Sequence, residues 1–93
     1  MDLDTIAQAL SAGRFRFTEH AREQMAKRQL TEADVRQALV SLEEVLPVRE
    51  GRVVAQSMSE GHLLRVFIDV DREPMEVVTA YRTSKIDRYR SQP

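Results

Sequence analysis

The hydrophobic residues of the first 42 positions recur at helical spacing. This pattern predicts three helices, over roughly residues 2–13, 18–28 and 31–42. Each of them begins at a residue whose side-chain oxygen can accept from the free N–H groups of a first turn: Asp2 or Asp4, then Thr18, then Thr31 with Asp34 three residues on. The segment "RFRF" at 14–17 is interpreted as a short extended link with its two phenylalanines on one side.

Beyond residue 42 the pattern changes to the alternation typical of β-strands. Strands are predicted for "RVVAQSMS" (52–59), "HLLRVFIDV" (62–70) and "MEVVTAYR" (75–82), with turns at Glu60–Gly61 and "DREP" (71–74). The segment "EVLPV" (44–48) is placed at a sheet edge or in a link, because Pro47 cannot donate a ladder hydrogen bond. These elements indicate an α+β fold in which two to three N-terminal helices pack on one face of a three- to four-stranded antiparallel sheet.

The alternation also assigns side chains to the two faces of the sheet. Every second residue from Leu64 to Val70 is expected to face the helices, and the alternate set, which includes Arg65, is expected to face the other side. In the last strand the pattern leaves two alternatives open. Either the set that contains Val78 or the set that contains Tyr81 forms the core.

The composition is typical of one small domain over residues 1–93. The chain has no cysteine, its acidic start is unlike a signal peptide, and no apolar run approaches the ~20 residues that span a bilayer. A soluble cytoplasmic protein without a membrane partner is therefore expected. No metal site or cofactor is expected either, because two histidines without a placed carboxylate fall short of a ligand set.

Charge is unevenly distributed along the chain. The net charge of −1 and the sequence pI of about 6.1 argue against a protein that binds nucleic acid through bulk charge. However, residues 14–28 contain five Lys or Arg, and residues 81–93 contain four. The second segment is interpreted as a basic tail that Ile86 and Tyr89 anchor against the domain. The two segments would form one basic patch if the fold brings them together.

Two segments taken together resemble a known family. "HAREQMAKRQLTEADVRQAL" (20–39) and the later "VVTAYRTSKIDRY" (77–89) resemble the domain of unknown function 4258 family, over roughly residues 15–90. That family is similar to the RelE/ParE-like toxins, within the wider barnase, EndoU, colicin and RelE group of metal-independent ribonucleases. The resemblance implies helices packed on one face of an antiparallel sheet, and RNA cleavage that an antitoxin controls. The chain departs from the family pattern at Gln24, where arginine is usual, and at Gln29, where glycine is frequent.

Metal-independent RNA cleavage requires an acid, a base and cations that stabilise the phosphorane. His20 is the candidate acid or base because its ordinary pKa lies near neutrality. It shares a helix stripe with Gln24 and Arg28 at four-residue intervals. Tyr81 is the candidate to orient the substrate or to donate a proton, and Arg82 is the candidate to hold phosphate beside it. The candidate RNA-binding residues are Arg22, Arg28, Lys85 and Arg88.

Other interpretations of these residues stay open. His20 is equally a polar residue on an exposed helix surface, and the basic tail is equally a solvated segment. The leading hypothesis is a ribonuclease-like toxin domain. The alternative is a non-catalytic module on the same scaffold that binds RNA or an antitoxin-like protein, and a homodimer is a further candidate assembly. Pro47 protects only one edge of the sheet, so the other edge is expected to be available to an extended partner segment.

Overall fold

The computed structural model describes residues 2–90, which form four helices and one five-stranded sheet. In chain order the elements are α1 (Leu3–Ser11), β1 (Phe15–Phe17), α2 (Glu19–Lys27), α3 (Glu32–Val40), β2 (Glu44–Arg49), β3 (Arg52–Ser59), β4 (His62–Asp69), β5 (Met75–Thr83) and α4 (Ile86–Tyr89). The last three residues of the predicted basic tail, 91–93, lie outside the described residues. The α+β class predicted from the sequence is confirmed.

The N-terminal helices begin where the sequence places their caps. The side chains of Asp2, Thr18 and Thr31 each accept a hydrogen bond from a backbone N–H in the first turn of α1, α2 and α3. At α3, the Asp34 carboxylate also accepts from the Thr31 backbone N–H, which completes a capping box. The apolar stripe of each helix packs on one face of the sheet.

The sheet differs from the expected antiparallel meander. Its strand order is β1-β5-β4-β3-β2, with β1 parallel to β5 and every other pair antiparallel. The interpretation of "RFRF" as a link was therefore wrong, because Phe15–Phe17 forms an edge strand. Phe15 and Phe17 are buried in the core, while the exposed Arg16 between them pairs with Glu76 across the strands. "EVLPV" is the opposite edge strand, and its pairing shifts register after Pro47.

A β-bulge decides which residues of β5 face the core. Phe67 pairs with Thr79 and Ile68 pairs with Val77, so Val78 is an extra residue in the ladder. As a result Val77 and Ala80, three residues apart, are both buried in the helix-facing core. Neither of the two alternating sets left open by the sequence forms the core alone.

The expectation that all helices are N-terminal and share one face was wrong, because α4 is C-terminal and lies on the other face of the sheet. Tyr89 in α4 lies over Arg65, which points to the face of the sheet opposite α1–α3. On this second face Gln56 and Leu63 are 0% exposed. The sheet therefore has a helical layer on one face and a short C-terminal covering on the other. None of the helices in residues 2–90 is long and apolar enough to cross a membrane.

Candidate functional site

A groove at the outer edge of β5 contains three of the residues singled out from the sequence. Arg28, Tyr81, Arg82 and Tyr89 line it, with a volume of about 630 Å³. Tyr81 and Arg82 are neighbours in an extended strand, so their side chains leave opposite faces of the sheet. Both can line one groove because β5 is an edge strand here, since β1 pairs only with Met75–Val77.

Arg28 is held against this open part of β5. Its Nη1 donates to the Thr79 hydroxyl at 2.9 Å and to the Ala80 carbonyl oxygen at 3.1 Å. These two bonds satisfy edge groups of β5 beyond the end of β1. Because a guanidinium has five N–H donors, those on Nε and Nη2 are left for another acceptor; neither makes a hydrogen bond to the rest of residues 2–90.

Tyr81 ends a row of polar side chains that crosses four strands at one level. Glu44 in β2, Gln56 in β3, Arg65 in β4 and Tyr81 in β5 are direct cross-strand partners. Gln56 donates to Glu44 at 2.9 Å, and Arg65 donates to the Gln56 amide oxygen and to the Tyr81 hydroxyl, each at 2.6 Å. The Tyr81 hydroxyl thus accepts from Arg65, and its own proton is available for a further acceptor.

The last helix, α4, contributes Tyr89 to the lining of the groove. The Tyr89 ring lies over the Arg65 guanidinium, with the guanidinium carbon 4.1 Å from the ring centroid. The Tyr89 carbonyl oxygen accepts from the buried Gln56 amide at 3.1 Å. Arg90, which follows α4, also holds the tail in place through an ion pair with Glu43 at 2.8 Å. The tail is therefore attached to β3, to β4 and to Glu43 immediately before β2.

Arg82 is partly balanced by a carboxylate. Its Nη2 lies 3.6 Å from the Asp34 carboxylate, and its side chain is 33% exposed. The pKa of Asp34 lies below its ordinary value, mainly because the backbone N–H and the hydroxyl of Thr31 hydrogen-bond to it, and less because of the charge of Arg82. The carboxylate is thus already engaged at its cap, and Arg82 also lines the groove.

The remaining sequence-predicted residues lie elsewhere. His20 is exposed and does not line the groove, and among residues 2–90 it makes no hydrogen bond, ion pair or ring contact. It lies eight residues before Arg28, or about 12 Å along the helix axis. Arg22 forms an ion pair with Glu32 at 2.9 Å. The side chain of Lys85 is exposed, and Arg88 lies over the outside of Tyr89, 5.4 Å from its ring centroid.

The structure adds Gln56, Arg65 and Tyr89 to the site. The pairing of Gln56 with Arg65 follows from the Glu60–Gly61 turn, because counting back from the Ser59–His62 pair puts these residues opposite each other. That signal was present in the sequence. The pairing of Arg65 with Tyr81 was not readable, because the bulge at Val78 shifts the register of β5.

Among residues 2–90 there is no group of three or more histidine, aspartate or glutamate side chains placed to hold a metal ion.

Comparisons with known proteins give one assignment. Neither the curated proteins nor the solved structures include a significant match to this chain. A family model described as domain of unknown function (DUF4258) matches residues 17–82, a span that begins at Phe17 before α2 and ends at Arg82 in the groove. The chain belongs to the DUF4258 family of domains of unknown function.

Proposed function

We propose that the chain binds single-stranded RNA in the groove at the edge of β5 and is a metal-independent, ribonuclease-like toxin domain. The observation that carries the proposal is the convergence of two guanidinium groups, Arg28 and Arg82, with two phenol rings, Tyr81 and Tyr89. Guanidinium groups hold phosphate oxygens, and aromatic rings stack on unpaired bases. A groove with both features favours a single strand over a duplex, whose bases are already stacked.

The same side chains supply part of the chemistry that RNA cleavage needs. Arg28 and Arg82 would stabilise the negative charge that develops on the phosphorane. Tyr81 accepts from Arg65 and can donate its own proton to a phosphate oxygen or to the leaving oxygen. His20 is the proposed base that would take the 2′-hydroxyl proton. Because it lies about 12 Å along the helix axis from Arg28, this role requires α2 and the groove to come together around the bound strand when RNA binds.

A non-catalytic RNA-binding module on the same scaffold is the second candidate. It is favoured by the position of His20, which is about 12 Å along the helix from Arg28 and outside the groove. In this case the four groove residues hold RNA, and His20 is an ordinary surface residue.

Incubation with end-labelled single-stranded RNA in excess EDTA tests both candidates. The wild-type chain is compared with His20→Ala and Tyr81→Phe, and with His62→Ala as the matched control, since His62 is the other histidine and is exposed in a turn. The proposal predicts fragments ending in 2′,3′-cyclic phosphate, reduced at least about 100-fold in His20→Ala. RNA that is retained by the wild type in a gel-shift assay but never cut would support the second candidate. RNA that is neither bound nor cut would refute both.

An antitoxin-like protein is the proposed partner if the domain is a toxin. Expression of the chain alone is then expected to arrest growth, and Tyr81→Phe is expected to relieve the arrest at equal protein level. Growth arrest that persists in Arg28→Gln, Arg82→Gln and Tyr81→Phe would place the toxic activity outside the groove.

A further inference from the structure

We infer that Arg65 is the positioning residue that fixes both aromatic walls of the groove, and that Gln56 holds it in place. The inference rests on the proposed function only for its consequence in RNA binding. Arg65 lies beneath the groove and is not among the four side chains that line it. Its contacts nevertheless reach both tyrosines of the chain, Tyr81 and Tyr89.

The first wall is fixed by a hydrogen bond. Arg65 Nη1 donates to the Tyr81 hydroxyl at 2.6 Å, and Arg65 Nε donates to the Gln56 amide oxygen at 2.6 Å. The Tyr81 ring is also stacked on Phe67 with an interplanar angle of 17°. The hydroxyl therefore has one fixed donor and one fixed ring orientation, which leaves its proton directed away from Arg65.

The second wall is fixed by the flat face of the same guanidinium. The guanidinium carbon of Arg65 lies 4.1 Å from the Tyr89 ring centroid, in the range of a cation–π contact. Gln56 holds the backbone of Tyr89 by donating a hydrogen bond to its carbonyl oxygen. Since Gln56 is 0% exposed, its hydrogen bonds are shielded from water and cannot be replaced without cost.

This arrangement requires arginine rather than any cation. Two edges of one planar guanidinium donate to Gln56 and Tyr81 while its face covers Tyr89. A lysine ammonium at this position keeps the charge, but it has no planar fork and no face to stack. Arg65→Lys is therefore expected to release both rings while the net charge of the chain stays the same.

The tyrosine rings themselves report the outcome. Tyr81 and Tyr89 are the two tyrosines of the sequence, which has no tryptophan, so ring NMR signals of a tyrosine-labelled sample come from these two residues. Arg65→Lys is expected to shift both sets of ring signals and to reduce the near-ultraviolet circular dichroism. The matched control is Arg52→Lys, which alters an arginine on the same face that pairs with Asp69, about 13 Å along β3 from Gln56. The control is expected to leave both sets of ring signals in place.

A second variant tests the coupling without changing Arg65. Tyr81→Phe removes the hydroxyl that accepts from Arg65 and leaves the ring. Because Arg65 contacts both rings, the Tyr89 signals are expected to shift in this variant. Tyr89 signals that stay at their wild-type positions in a folded Arg65→Lys would overturn the inference, whereas unmoved Tyr89 signals in Tyr81→Phe alone would show that Gln56 is sufficient to hold Arg65.

RNA binding then separates positioning from phosphate contact. A fluorescently labelled single-stranded RNA is titrated at several salt concentrations. Arg65→Lys is expected to weaken binding about 5-fold or more with an unchanged salt slope, whereas Arg82→Gln is expected to lower the slope by about 0.7. Because lysine keeps the charge, Arg65→Gln is titrated as well, and a slope lowered by about 0.7 in Arg65→Gln would make Arg65 a phosphate contact and refute positioning. Absence of RNA binding by the wild type would refute the proposed function, and the tyrosine signals would still decide the role of Arg65.

Discussion

At the scale of single residues, Gln29 adopts a backbone conformation after α2 that favours glycine. Its φ of 58° lies in the left-handed region, which side chains with a Cβ rarely adopt. The backbone N–H of Gln29 donates to Ala26 O at 3.1 Å, and that of Leu30 donates to Met25 O at 2.8 Å. These two bonds form a Schellman motif, in which glycine is the preferred residue at the position of Gln29.

We expect Gln29→Gly to stabilise the chain by about 1 kcal/mol, since glycine removes the steric cost of a positive φ. Urea unfolding at neutral pH measures the change in the free energy of unfolding. The control is Gln29→Ala, which removes the long side chain but keeps the Cβ, and it is expected to give no comparable gain. Equal stabilisation by alanine and glycine would mean that the conformation of Gln29 is not strained.

His20 and Tyr81 illustrate what a single residue type can indicate. The preference for histidine as an acid or base rests on its ordinary pKa, and the sequence correctly places His20 on the surface of a helix. Tyr81 lies in the groove and His20 does not. Whether a side chain lies at a sheet edge depends on strand order. Strand order is a property of tertiary packing, which the hydrophobic pattern of one strand does not contain.

At the scale of elements, the sequence predicted the three N-terminal helices correctly and the sheet only in part. Helix starts are local, because Thr18 and Thr31 accept from N–H groups within the next three residues. β1 was missed because three residues are too few to show alternation, and its identity as a strand depends on pairing with Met75–Val77 some 60 residues away. The C-terminal helix was missed because its four residues carry no side-chain cap and are held by tertiary contacts such as Gln56 to Tyr89.

The β3–β4 pair carries a pH-dependent contact at its end. Arg52 donates to Asp69 at 2.7 Å and 3.2 Å, and this hydrogen bonding holds the pKa of Asp69 below its ordinary value of 3.8. A depressed pKa in the folded state means that the ionised carboxylate stabilises the fold. This contribution is present above about pH 4 and is lost as the pH falls through the folded-state pKa.

We expect Asp69→Asn to lower the free energy of unfolding by about 1 kcal/mol at neutral pH, because it weakens a charge-assisted pair whose side chains are 27% and 15% exposed. The deficit relative to wild type is expected to shrink as the pH falls below about 4, when the wild-type carboxylate is also neutralised. Urea unfolding across this pH range measures it. Asp71→Asn is the control, since Asp71 is exposed and 3.9 Å from Arg72. A deficit that is constant with pH would show that the ion pair is not its source.

At the scale of the whole molecule, the two edges of the sheet differ in how they are protected from pairing with another strand. The β2 edge carries Pro47 and a register shift, both of which hinder pairing with another strand. The opposite edge is covered by β1 for three residues, and the rest of β5 is left for Arg28 and the groove. The sequence identified the protected edge through its proline. It did not identify the other edge as the site, because the parallel strand β1 was not recognised.

The net charge of the whole molecule bears on the proposed RNA binding, because a charge of −1 gives no general attraction for phosphate. The proposal therefore requires that binding come from the few cations at the groove, chiefly Arg28 and Arg82. Neutralising two phosphates of a single strand gives a salt slope of about −1.4, so affinity is expected to fall only about sevenfold between 50 and 200 mM salt.

Gln24→Arg tests this localised binding, since Gln24 lies on the α2 stripe one turn before Arg28. An arginine there adds a third cation beside the groove and is expected to steepen the slope by about 0.7 and to tighten binding most at low salt. Fluorescence titration of labelled single-stranded RNA measures both effects. Gln8→Arg, which adds the same charge to the exposed surface of α1 near Met75 at the other end of β5, is the control and is expected to leave the slope near the wild-type value. An equal response to both substitutions would mean that RNA senses total charge, and the groove at β5 would not be its binding site.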